Sequence, residues 1–204
     1  MHLALFTIGY NVIEGLVSVY FGLADDTVAL FGFGLDSFVE VISGVGIWHM
    51  LRRLRASADG ESTDAFEKTA LRVTGAAFYL LTLGLMATAV VNFLGARAPS
   101  TTFWGIVVSG VSIVTMWLLI RLKLSVGRAL GSAAIIADAH CTRACLALSF
   151  VLLASSLGYE ATGLRHIDTL GALVIAALAW REGREALVKS RGGSCGCAGS
   201  CGAA

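Results

Sequence analysis

The sequence has 204 residues, of which 56% are hydrophobic and only 14% are charged, and its mean hydropathy is +0.79. A soluble domain contains about 45–50% apolar and about 25% charged residues, and a globule of this size cannot bury so large an apolar surplus. The formal net charge of +1 gives no basic surface for nucleic acid. The composition argues against a soluble enzyme, a disordered chain or a nucleic-acid-binding protein, and it indicates an integral membrane protein.

Six apolar stretches are long enough to cross a bilayer. About 20 apolar residues span roughly 30 Å of hydrocarbon, and continuous rather than alternating apolar runs favour helices over a barrel. The predicted spans are residues 3–24, 28–51, 71–96, 102–120, 133–159 and 167–187. Asp168 opens the sixth span, and charged side chains that can reach the interface crowd its end. The expected fold is an all-α membrane protein with six transmembrane helices.

The basic residues lie mostly on one side of these spans. Twelve of the 15 lie in or beside the connections after spans two and four, or after span six: Arg52, Arg53, Arg55, Lys68, Arg72, Arg121, Lys123, Arg128, Arg181, Arg184, Lys189 and Arg191. The positive-inside rule places that side in the cytoplasm. Both termini are then expected in the cytoplasm, and the chain in the plasma or inner membrane.

Two regions are expected, a six-helix transport domain over residues 1–190 and a flexible Gly/Cys-rich tail over residues 191–204. The tail contains Cys195, Cys197 and Cys201, and cytoplasmic thiols stay reduced. One hypothesis is that the three thiolates capture a soft metal ion on the cytoplasmic side. The alternative is a tail without a function.

Span two contains two carboxylates, Asp36 and Glu40, four residues apart and therefore on one helix face. An ionisable residue within a span costs about 2.5–3.5 kcal/mol and is a functional candidate by default. Two adjacent carboxylates repel each other in low dielectric unless a cation or a proton lies between them. The pair favours a cation or proton site; the alternative is that Arg143 or helix-end donors satisfy it.

Span five places Asp138, Cys141 and Cys145 on one face, whereas His140 lies about 200° from Asp138 and points elsewhere. Two carboxylates and two thiolates suit a tetrahedral ion such as zinc, thiolates select soft ions, and ligand deprotonation couples metal binding to proton release. The alternative is that the cysteines are small apolar fillers.

Span one places Glu14 on one face with Asn11 and Ser18. Glu14 is interpreted as an outer partner of the metal ligands, a proton relay or the counter-ion of Arg143. Asp138 is likewise a candidate for an outer partner or a relay.

These motifs resemble the cation diffusion facilitator family of proton-coupled divalent-metal transporters. The resemblance is carried by six spans, a polar first span (Asn11, Glu14, Gly15), and the stretches ALFGFGLDSFVE at residues 29–40 and ADAHCTRAC at residues 137–145. It implies a homodimer that exports metal by alternating access.

The resemblance also implies the ligand set: Asp36, Glu40, Cys141 and Cys145. Family members usually have histidine or aspartate at the two cysteine positions, which hints at a softer or different metal. They also usually carry a cytoplasmic domain after span six, where this sequence has the cysteine tail, so the chain resembles a short member.

The expected function is a secondary transporter that exports a divalent cation, zinc or an ion such as cadmium or cobalt, in exchange for protons. A metal-binding membrane sensor or accessory subunit is the alternative, and a proton or small-cation channel is a third interpretation. The sequence shows no HExxH, GxSxG or Walker-type motif, so neither enzymatic activity nor a resident cofactor is expected.

Overall fold

A computed structural model describes residues 2–56, 65–95, 99–129, 133–164 and 166–191. These residues form six α-helices: α1 (His2–Ala24), α2 (Val28–Ala56), α3 (Ala65–Gly95), α4 (Phe103–Ala129), α5 (Ala133–Thr162) and α6 (His166–Ser190). A bilayer offers no hydrogen-bond partners to backbone groups, so a chain this apolar satisfies them within helices. The prediction of an all-α fold is confirmed.

Three helices extend by five residues or more past the predicted spans, at the end where most of the basic residues lie. α2 continues to Ala56, α3 begins at Ala65 and α4 continues to Ala129. The length of an apolar stretch reflects the hydrocarbon thickness, whereas backbone hydrogen bonding within a helix can continue into the polar residues that follow. The sequence-based placement of Lys123 in a connection is therefore wrong, because this residue lies within α4.

Four helices are long and apolar enough to cross a membrane, judged by length and composition: α1, α2 over Val28–Gly46, α4, and α5 over Thr142–Thr162. α3 contributes a shorter apolar segment, Gly75–Ala87. In α6 the longest stretch without a charged residue is residues 169–180, which is shorter than the usual span of about 20. The helices fit a membrane protein, while α3 and α6 as spans and the orientation of the termini stay predictions.

The outer surface of α1 is apolar and its inner face is polar. Phe6, Ile13 and Leu16 are each more than half exposed, whereas Asn11 and Glu14 are buried. A soluble protein would place these two kinds of residue the other way round. Exposure of large apolar side chains beside a polar interior is typical of a helix that contacts lipid.

α2 is the central helix of the bundle. The most extensive contacts are between α1 and α2, between α3 and α6, and between α4 and α5, and α2 touches each of the other five helices. Leu30, Phe33 and Val39 of α2 lie in the main buried core with Leu81 of α3 and Ile175 of α6. Different side chains of α2 can therefore contact each of the other five helices.

At one end of the bundle, which we call the capped end, two carboxylates cap helices other than their own. Asp168, in the first turn of α6, accepts hydrogen bonds from the backbone N–H groups of Val28 (2.9 Å) and Ala29 (3.3 Å) at the start of α2. Glu160 of α5 accepts a 2.7 Å hydrogen bond from the N–H of Thr102, just before α4. The first N–H groups of a helix lack partners within it, and side-chain oxygens satisfy them. Asp168, which the sequence marked only as the polar start of span six, therefore fixes the start of α2.

Candidate cation site

Two carboxylates of α2, Asp36 and Glu40, lie one helical turn apart inside the bundle. Asp36 is 2% exposed, and no described residue forms a hydrogen bond with its Oδ1. Glu40 is partly buried, and its Oε2 accepts a 2.7 Å hydrogen bond from Nδ2 of Asn11 on α1. Both side chains thus point inward, as their spacing predicts. A buried carboxylate oxygen with unused lone pairs marks a place for a proton, a water molecule or a cation.

Glu14 of α1 lies beside this pair and is 6% exposed. Its carboxylate accepts hydrogen bonds from the hydroxyl groups of Tyr10 (2.8 Å) and Ser37 (3.1 Å). It is also near enough to Asp36 and Glu40 to act on both electrostatically. We call Glu14, Asp36 and Glu40 the acidic cluster. Like charges that share a buried space are costly unless a proton or a cation neutralises them.

Glycine residues bring α1 and α2 into backbone contact beside the acidic cluster. A Cβ atom at Gly34 would lie 2.8 Å from Cβ of Ser18, and one at Gly22 would lie 2.6 Å from the backbone nitrogen of Phe31. Only glycine permits so close an approach of two helices. A three-residue turn joins the helices, and its central Asp26 has a φ of 55°, a left-handed conformation that aspartate tolerates. This geometry holds the polar face of α1 against the carboxylates of α2.

α5 places Cys145 at the depth of Glu40. A Cβ atom at Gly171 of α6 would lie 2.5 Å from Cβ of Ser155 on α5 and 3.5 Å from Cβ of Ala29 on α2. These three residues therefore lie at the same height along the bundle, near the capped end. At about 1.5 Å of rise per residue, Glu40 lies about 16 Å and Cys145 about 15 Å from that level. One predicted thiol ligand is therefore at the same depth in the bundle as one predicted carboxylate ligand.

Cys145 is buried, with an exposure of 9%, in a small cluster with Met116 and Leu119 of α4. Tyr10 of α1 packs against this cluster, and the same tyrosine donates its hydroxyl hydrogen bond to Glu14. One side chain thus connects the surroundings of the thiol with the acidic cluster.

A chain of polar contacts continues from the acidic cluster onto α4 and α5. Ser112 of α4 lies close to Tyr10 and Glu14, and its Oγ is 2.8 Å from Oγ of Ser149 on α5. The Ser149 hydroxyl also lies 2.9 Å from the carbonyl oxygen of Cys145, to which it donates. Polar side chains from four helices therefore meet around the predicted ligands.

Five of the predicted site residues have side chains outside the described part of the chain: Asp138, Cys141, Cys195, Cys197 and Cys201. Among the side chains that are described, no group of three His, Cys, Asp or Glu residues is arranged to hold a metal ion. The structure places Asp36, Glu40 and Cys145 individually, and the four-ligand site that includes Cys141 stays a prediction.

Lys123 is the residue that sequence reasoning missed. It is 2% exposed, and its Nζ donates a 2.9 Å hydrogen bond to Oγ1 of Thr142 on α5. A signal was present in the sequence, because the buried positions of α4 recur every three or four residues from Gly105 through Met116 to Lys123. Extending that face past the predicted end of span four would have placed Lys123 inside the bundle.

No family model and no curated protein sequence matches the chain. The resemblance to cation diffusion facilitators therefore rests on the six predicted spans, the polar first span and residues 29–40 and 137–145, and the argument for a function depends on the site itself.

Proposed function

We propose that this protein is a secondary transporter that exports a divalent metal cation, zinc or a similar soft ion, from the cytoplasm in exchange for protons. The proposal rests mainly on the surroundings of the Asp36 carboxylate. The Asp36 side chain is almost fully buried, its Oδ1 has no hydrogen-bond partner among the described residues, and it lies on the helix that contacts all the others. A carboxylate oxygen in that position is available to a proton or a cation, which supports a role for Asp36 as a ligand.

The acidic cluster supports exchange rather than permanent binding. Its carboxylates need neutralising charge in a water-poor interior, and either protons or one divalent cation can supply it. Protons and the cation compete for the same oxygens, so binding of one releases the other. A site that opens to the two sides of the membrane in turn would thereby couple the two fluxes.

The proposed ligands are the two carboxylates of α2 and two thiolates of α5: Asp36, Glu40, Cys141 and Cys145. The depth of Cys145 in the bundle supports this set. Thiolates favour zinc, cadmium or cobalt over magnesium, calcium or manganese. Glu14 and Asp138 are proposed as outer partners of the ligands or as proton relays.

The orientation is supported by aromatic and basic residues at the end opposite to the capped end. The guanidinium groups of Arg52 on α2 and Arg121 on α4 lie over the rings of Trp48 and Trp117, at 5.6 and 3.9 Å from the ring centres. α6 repeats the same Trp-x-x-x-Arg spacing. Tryptophan is enriched at membrane interfaces, and arginine at the cytoplasmic one. We therefore propose six spans with both termini in the cytoplasm of the cell, and a homodimer in the plasma or inner membrane.

The test is transport by purified protein in proteoliposomes that contain a pH-sensitive dye. A zinc gradient should drive proton movement in the opposite direction, and Asp36→Asn should abolish it. Asp168→Asn is the matched control, because Asp168 is an equally buried aspartate at the capped end, and this variant should retain transport. A wild-type protein that binds zinc at equilibrium but moves neither zinc nor protons would instead identify a sensor or an accessory subunit.

A further inference from the structure

The interior that contains the acidic cluster also contains a positive charge, the ammonium group of Lys123. Lysine side chains near the end of a membrane helix normally extend to the interface, where water solvates the charge. Lys123 instead turns inward, with an exposure of 2%, and its Nζ contacts Thr142 on α5. This orientation has a cost that a neighbouring negative charge must offset.

Glu40 is one negative charge near enough to act on the ammonium group electrostatically. Ala29 and Ser155 lie at the same height along the bundle. Measured along the helices from that height, with about 1.5 Å of rise per residue, Thr142 is about 20 Å and Glu40 about 16 Å into the bundle. Along the bundle axis, the Thr142 residue that binds the ammonium group is thus less than one helical turn away from Glu40. The charge of the ammonium group acts attractively on Glu40. The Thr142 hydroxyl accepts the hydrogen bond of the ammonium group, and the Glu40 carboxylate is an opposite charge at a similar depth.

Thr142 also fixes where the ammonium group lies relative to the predicted ligands. It follows Cys141 directly in sequence and precedes Cys145 by three residues. It is itself buried, with an exposure of 4%. Lys123 is therefore anchored to the same segment of α5 that carries the predicted thiol ligands.

We propose that Lys123 is a tethered counter-cation of the acidic cluster, which neutralises Glu40 when no metal is bound and is displaced from it when the transported cation binds. This inference rests on the proposed function, because it gives that site a built-in competitor. A cation entering the site must overcome the attraction between Lys123 and Glu40, so the site binds more weakly than its ligands alone would allow. The benefit is release, since the ammonium group returns to Glu40 as the cation leaves.

The experiment measures the zinc dissociation constant of the purified protein by titration calorimetry, for the wild type and for variants at two basic positions of α4. Lys123→Met removes the charge and keeps most of the volume, while Lys123→Gln also keeps a donor for Thr142. Arg121→Met is the matched control, because Arg121 is exposed on the outer face of the same helix, over Trp117. Both Lys123 variants should bind zinc about tenfold more tightly, since a nearby positive charge has been removed, whereas Arg121→Met should change affinity less than twofold. Unchanged or weaker zinc binding in both folded Lys123 variants would overturn the inference.

Thermal unfolding of the same proteins keeps the test decisive if the neutral variants are unstable. Removing Lys123 leaves Glu40 uncompensated, so Glu40→Gln in the same molecule should restore the melting temperature lost in Lys123→Met. A Lys123→Met protein that loses stability and is not rescued by Glu40→Gln has lost a packing residue, and the counter-cation role is then wrong. Failure of the wild type to bind any divalent cation would refute the proposed function, while rescue of stability by Glu40→Gln would still show the charge pairing.

Discussion

Two aspartates in this molecule are equally buried, with an exposure of 2% each, and have different surroundings. Asp168 at the capped end accepts hydrogen bonds from two backbone N–H groups at the start of α2. Asp36 in the interior of α2 has an oxygen without a hydrogen-bond partner in the described part of the chain. Burial alone therefore does not separate the helix-capping acid from the proposed ligand, whereas the hydrogen bonds of their oxygens do.

The position of each acid along a helix explains the difference. The amino-terminal end of a helix presents unpaired N–H groups and a partial positive charge, so Asp168 faces a site that favours a negative charge. Asp36 lies in the middle of α2, where the backbone N–H groups are already used within the helix. Its charge has to be offset by something that the helix itself does not supply.

The largest expected effect is on zinc affinity, which should depend on Asp36 and not on Asp168. Asp36→Asn should weaken zinc binding at least about 100-fold, because a charged ligand in low dielectric is lost. Its melting temperature in detergent should not fall, because the substitution removes a buried charge that lacks a full set of partners. Titration calorimetry and thermal unfolding on the same sample give both values. A large fall in melting temperature with intact zinc affinity would assign Asp36 to the structural class.

Asp168 should show the reverse pattern. Asp168→Ala leaves two N–H groups at the start of α2 without acceptors and should lower the free energy of unfolding by about 2 kcal/mol. Asp168→Asn keeps one good acceptor and should restore part of that loss. Denaturant unfolding in detergent measures the change, and the zinc affinity of the folded fraction should stay within about twofold of wild type. Loss of zinc binding in a well-folded Asp168→Asn protein would contradict the comparison.

A smaller effect, on metal selectivity, is expected for substitution of Cys145. It tests whether a thiol binds the metal together with the carboxylates. Cys145→Ser replaces sulfur with oxygen at nearly constant volume and should weaken cadmium binding more than zinc binding, by about tenfold in the ratio of the two affinities. Competition titrations with both metals measure that ratio. The matched control is Ser155→Cys, which changes another buried serine of α5 near the capped end and should leave the ratio unchanged. An unchanged ratio in Cys145→Ser would show that the cysteine is only a packing residue.

The inner faces of α1 and α2 could be predicted from the sequence, because residue spacing alone determines them. Asn11, Glu14 and Ser18 share a buried face of α1, and the four-residue separation of Asp36 and Glu40 turns both inward on α2. Helix periodicity is local, so it does not require knowledge of the rest of the fold.

The roles of Lys123 and Asp168 could not be predicted in the same way. The cap that Asp168 provides depends on a contact between residues 140 positions apart, which no local pattern encodes. The burial of Lys123 depends on where α5 lies, because Thr142 is its partner. A hydropathy window also stops at the first basic residues of α4, although the helix and its buried face continue beyond them.

The close contact between α1 and α2 has a consequence for how the chain enters the membrane during synthesis. Two carboxylates would each add about 2.5–3.5 kcal/mol to the cost of inserting α2 by itself. α1 already carries a donor for one of them, since Asn11 donates to Glu40, and α2 carries a donor for the acid of α1, since Ser37 donates to Glu14; only a three-residue turn separates the helices. We therefore expect the first two helices to insert together as a hairpin, with the acids of one shielded by the polar face of the other.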